Sequence, residues 1–211
     1  MSDLKNTSFK KSLVSLRIYS ICLAIKPFQP KPSKPFSTFF FYFWLSNTSY
    51  FSAAETSHLR LGASRALVKL TQHAKYVNQL TVPKFEKLGI TLQDTCFYVR
   101  QEFAESLMKG LHTEQIHSRY YALLFMCAHE PEAALVKQVK GFIQKKLSSI
   151  QSKQGDANVL DSALIRLIHL LAHHPDFSEA VEDLEVLAQY FRFYLACVAT
   201  SDNVEIGRAH V

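Results

Sequence analysis

Helix breakers are scarce in this 211-residue chain: six glycines and seven prolines, with five of the prolines between residues 27 and 83. Long stretches beyond that point hold no residue that interrupts a helix. This favours an all-α fold. Cysteine is equally thin. Cys22, Cys96, Cys127 and Cys197 form no closely spaced pair, so neither a disulfide framework nor a Cys-x-x-Cys metal or redox motif is present. They read as reduced thiols packed as small apolar residues. Missing too is any apolar run of the roughly 20 residues that cross a bilayer. Residues 13–25 carry Arg17 and end at Lys26-Pro27, while the aromatic run 36–45 stops at Ser46-Asn47-Thr48. No small-residue cleavage site follows the first of them, so a secretory leader lacks its last element. A small membrane-attached helical protein is the alternative reading, and it rests on those two stretches alone. There is no Gly-x-Ser-x-Gly, no phosphate-binding loop and no kinase motif set.

What is present is a globular composition, 48% hydrophobic and 20% charged. The net charge of +6 is unevenly placed. Residues 1–52 hold seven Lys/Arg against Asp3, and residues 205–211 hold Glu205 and Arg208. Removing those eight bases and two acids leaves sixteen of each sign in residues 53–204. The body is neutral, which withdraws the electrostatic case for nucleic-acid binding.

Both ends read as foreign to that body. Phe39-Phe40-Phe41-Tyr42-Phe43-Trp44-Leu45 is what a pyrimidine-rich tract yields on translation. Tyr50-Phe51-Ser52-Ala53 can be encoded by a T-run closing in CAG, the form of an intron acceptor. Residues 1–52 are therefore expected to be translated intron or an unstructured segment. The tail Glu205-Ile206-Gly207-Arg208-Ala209-His210-Val211 is expected to come from a common sequencing adapter.

The body repeats. "HLRLGASRALVKL" (58–70) aligns without gaps on "YVRQEFAESLMKG" (98–110) at a shift of forty, matching Leu59/Val99, Arg60/Arg100, Leu67/Leu107 and Lys69/Lys109. A further shift of forty reaches Val139, Lys140 and Leu147. Apolar spacing, prolines and turn residues predict about seven helices over residues 55–73, 83–93, 97–111, 114–130, 131–150, 158–174 and 179–200. Ser178 is expected to cap the last of these. A period near forty built from helix pairs defines a HEAT- or armadillo-like solenoid, in which stacked hairpins share one lengthwise core. Asp94 in a turn, followed by Val99-Arg100, fits the HEAT pattern. Arg60 and Arg100 are accordingly expected to bond between neighbouring repeats.

"HLRLGASRALVKLTQ", "LQDTCFYVRQEFAESLMKGLH", "YYALLFMCAHEPE" and "LIHLLAHHPDF" resemble successive helices of the sister-chromatid cohesion proteins of the precocious-dissociation-of-sisters family. The resemblance covers residues 57–203. It implies a fragment of a non-catalytic HEAT-repeat scaffold in the nucleus, acting on chromatin in mitosis, cell division and DNA repair. The implied partners are the kleisin subunit of cohesin and cohesin release or acetylation factors. An unrelated HEAT-repeat adaptor is the remaining alternative.

Four groups have the residue types of a site. His169 and His173 are four apart on one helix, with His174 adjacent, but no carboxylate or cysteine at recognisable spacing completes a metal set. Cys127 and His129 stand two apart, a separation that does not let side chains face each other on a helix. The aromatic run Tyr190-Phe191-Arg192-Phe193-Tyr194 has core spacing. Lys137, Lys140, Lys145, Lys146 and Lys153 make a basic stretch that reads as a solvated face. No catalytic, cofactor-binding or metal-binding residue is assigned, no cofactor is expected, and the partner-binding residues stay unknown.

Overall fold

The computed structural model describes residues 52–152, 158–178 and 180–199. Among them are eight α-helices and no strand: α1 (Ala53–Leu70), α2 (Ala74–Val77), α3 (Val82–Thr91), α4 (Phe97–His112), α5 (Tyr121–Leu124), α6 (Ala133–Ser152), α7 (Asn158–Ala172) and α8 (Val181–Val198). Short 3-10 turns, Ser118–Tyr120 and Phe125–His129, flank α5. The apolar stretches 13–25 and 36–45, the tail 205–211 and Lys153 lie outside the described residues.

The helices form two rows. In one, α1 packs on α4, α4 on α6 and α6 on α8. In the other, α3 leans on α1 and α4, and the α5 stretch packs beneath α7. Arg60, Arg100 and Lys140 thus sit on three successive helices of one row, as the forty-residue shift requires. The fold is an all-α stack of helical hairpins.

Sequence sets each boundary. Ser52 opens α1 with a capping box: its Oγ accepts from Glu55 N–H at 3.3 Å, and Glu55 Oε2 accepts from Ser52 N–H at 3.0 Å. Pro83 lies in the first turn of α3, where a missing N–H costs nothing. In α4, Val99, Phe103, Leu107 and Leu111 repeat every four residues and are each at most 3% exposed.

Two expected boundaries move. The helix expected over 114–130 starts late, because residues 113–117 form a turn. Glu114 sits at φ 56° in the left-handed region, and Gln115 and Ile116 N–H both reach back to Gly110 O. Ile116 then folds onto Gly110, where a Cβ would meet its side chain at 2.9 Å. The stretch that follows is apolar on every side, Tyr120 through Cys127 being buried throughout. It lies inside the stack and tightens into 3-10 turns at both ends instead of showing a wet face. The last helix starts at Val181, not beside Ser178, whose Oγ accepts from Ala180 N–H one turn upstream. Glu179 and the side chain of Glu182 lie outside the described residues.

Candidate partner-binding site

The arginines of the repeat build a ladder along the turn edge of the stack. Arg60 of α1 forks onto Asp94, with Nη2 donating to Oδ1 at 2.9 Å and Nε to Oδ2. Asp94 Oδ1 also accepts Cys96 N–H at 2.9 Å, which starts α4. Arg100 donates Nη1 to Asp94 O at 2.7 Å. It then forks onto Glu130 at 2.6 and 3.0 Å, and Glu130 Oε1 accepts Glu132 N–H at 3.0 Å, starting α6. The Glu130 side chain is wholly buried and that of Arg100 is 12% exposed. Bidentate pairing with Glu130 pushes the Arg100 guanidinium further above its ordinary range, against the cost of burial. Asp94 and Glu130 have the same job, one repeat apart. Asp94 is legible in the sequence from its place in a turn, whereas Glu130 reads there only as a helix end.

Beside the ladder a cleft of about 450 Å³ opens between the turns, lined by Gln93, His129, His174, Asp176, Val186 and Tyr190 among others. Its wall is a chain of hydrogen bonds: His174 Nε2 lies 2.7 Å from Gln93 Oε1, and Gln93 Nε2 donates to Tyr190 OH at 2.6 Å. Gln93 Oε1 only accepts, so His174 carries its proton on Nε2, while Nδ1 accepts Asp176 N–H at 3.2 Å. This uses both nitrogens of a neutral ring. Burial lowers the His174 pKa, opposed by Asp176, and burial likewise lowers His117, helped by Arg119 and Arg166. Folding therefore makes both rings harder to protonate than they are in the unfolded chain. Stability should be level above about pH 6.5 and decline as pH falls below it. Thermal unfolding between pH 7.5 and 5 checks this. His174→Asn should flatten part of the slope, leaving the share due to His117; an unchanged slope would contradict the assignment.

A second surface is the open groove of about 720 Å³ between α4 and α6. Met108, Gly141 and Phe142 form its floor, and Lys109, His112, Lys137 and Lys145 its rim, with Glu105 the one acid among the lining residues. The basic stretch noted in the sequence is thus divided. Lys137 and Lys145 face this groove, whereas Lys146 reaches His112 O at 3.3 Å and Glu114 at 3.8 Å.

The remaining candidates separate. Cys127 is 1% exposed, and burial together with Glu130 pushes its thiol up to about 12. His129 is bonded elsewhere, donating Nε2–H to Val186 O at 2.9 Å. Tyr190 and Tyr194 are buried, Tyr194 meeting Phe125 edge-on at 4.9 Å, while Arg192 pairs with Glu185 on the exposed side. His169 and His173 stack at 4.2 Å, and Glu86 of α3 stands beside them. Sequence spacing could not show that neighbour, which lies 83 residues earlier.

Paired helices in two rows, joined by arginine rungs and presenting an edge cleft and an open groove, define a helical-repeat scaffold. The sequence pattern described as "Sister chromatid cohesion protein PDS5 protein" matches residues 32–208. The chain is 34% identical over 152 residues to the Schizosaccharomyces pombe sister chromatid cohesion protein pds5, covering 71% of this chain and 12% of that protein. It is 30% identical over 152 residues to the human PDS5 homolog B (68% and 10%) and 28% identical over 170 residues to the Xenopus laevis PDS5 homolog A-B (75% and 13%). The chain belongs to the PDS5 family of sister chromatid cohesion proteins, and it spans about a tenth of the length of these relatives.

Proposed function

We propose that this chain is a non-catalytic scaffold segment of a regulator of sister chromatid cohesion, working in the nucleus by binding cohesin, its kleisin subunit first, on chromatin. Family membership is the observation that carries the reading. The groove between α4 and α6 is its best-suited contact surface: it is open, apolar at the base and cationic at the rim. An extended acidic segment of a partner matches that chemistry and lies naturally across successive repeats. Cohesin release or acetylation factors are further candidates for the same surface. No helix among the described residues is long and apolar enough to cross a membrane.

The full chain should retain the kleisin subunit from a chromatin extract, read by immunoblot. Lys137→Glu with Lys145→Glu should lower that retention about tenfold through like-charge repulsion, without changing the unfolding temperature. No retention by the wild-type chain would remove the cohesin reading. Equal retention by the variant would remove the groove alone.

We also propose that residues 1–52 and 205–211 are not part of the native scaffold. The family match overlaps both segments in part, reaching residues 32 and 208. Sequencing the spliced transcript tests the assignment, and reads running unbroken through codons 30–60 would end the intron proposal.

A further inference from the structure

We infer that Glu86, His169 and His173 form a three-donor site for a divalent transition metal of the zinc type, which on binding ties α3 to α7. One ligand atom from each of the three lies within 4.8 Å of the others. The two histidines stand one helical turn apart with parallel rings, centroids 4.2 Å apart and planes within 14°. Helical geometry puts residues four apart on one face, so both rings stand on the side of α7 that carries Glu86's partner His169, and turning them out of the stack aims their lone pairs at one ion.

The second-sphere hydrogen bond is also in place. His173 Nδ1 lies 2.9 Å from the His169 carbonyl oxygen. A carbonyl only accepts, so Nδ1 bears the proton and Nε2 keeps its lone pair for a metal. This is the backbone-anchored tautomer that metal-bound histidines adopt. Glu86 adds the anionic donor, its Oε1 3.7 Å from His169 Nδ1. Two imidazoles and one carboxylate suit zinc, with a fourth position left for water.

The two helices are held at the required separation independently of any ion. Gly89 lies one turn after Glu86 on the same face of α3, and a Cβ there would sit 3.7 Å from Leu170, Leu123 and Met126. Bonds of about 2.0–2.2 Å to a tetrahedral ion place donors roughly 3.3–3.6 Å apart. Closing from the present spacing asks the three side chains to rotate, and His169, 46% exposed, has room to do so.

Isothermal titration of the full chain with zinc chloride at pH 7.5, paired with thermal unfolding, tests the site. One zinc per chain should bind more tightly than about 0.1 mM and raise the unfolding temperature. His173→Ala and Glu86→Gln should each weaken binding about tenfold or more and abolish the temperature rise. His58→Ala, an exposed histidine on α1, should change neither. Circular dichroism of each variant confirms the fold, and Glu86→Gln preserves side-chain shape. Zinc binding unchanged in both Glu86→Gln and His173→Ala, or no zinc bound at that concentration, overturns the inference.

Discussion

Replacing Arg100 with alanine should destabilise the chain by about 3–5 kcal/mol, the cost of stranding one partner of a buried ion pair. Glu130 would keep a wholly buried carboxylate with Glu132 N–H still donating to it, and Asp94 O would lose its 2.7 Å donor. Arg60→Ala should cost less. Asp94 is almost as buried at 3%, but Arg60 is 25% exposed and water can enter where it stood. Equilibrium urea unfolding of both variants gives the comparison. Equal losses would mean that burial of the rung does not set its contribution.

Phe125→Ala should cost a similar amount, about 3–5 kcal/mol, for a different reason. The ring is fully buried and joins the middle of the stack to α8, contacting Tyr194 at 4.9 Å and Phe193 at 6.3 Å. Deleting it leaves a cavity and removes two edge-on aromatic pairs. Hydrogen exchange should show α8 losing protection before α1 and α4, because α8 packs on the Phe125–His129 turn and on α6. A loss spread evenly over all helices would contradict this. On a stability scale of roughly 5–15 kcal/mol, either substitution removes a large share.

The repeat was readable because its signal is local and periodic. Val99, Phe103, Leu107 and Leu111 mark one helix face, and a forty-residue shift brings Arg60 onto Arg100 and Lys140. The α5 stretch misled for the opposite reason. Residues 120–127 are apolar in every direction, so periodicity cannot separate a long amphipathic helix from a buried, tightened one. Glu114 in the left-handed region ends α4 without the glycine that normally announces such a stop.

Candidate-site chemistry was less legible, because its members meet only through packing. Glu130 belongs to Arg100 across thirty residues, Gln93 to His174 across 81, and Glu86 to His169 across 83. No spacing rule covers such pairs. The aromatic run was easier: Tyr190 and Tyr194 are four apart and both turn inward. Lysine positions gave a basic stretch, but only the packing of α4 on α6 separates Lys137 and Lys145 at the groove from Lys146 on the His112 carbonyl.

The arginine ladder bonds each hairpin to the next along the turn edge, and a double-mutant cycle isolates its contribution. Arg100→Met, Glu130→Gln and the pair together, each measured by urea unfolding, give the coupling between the two side chains. A coupling of about 2–4 kcal/mol is predicted, with the double variant more stable than Arg100→Met alone. A coupling below about 0.5 kcal/mol, the level of two independent sites, would show that neighbouring layers are not joined through this pair.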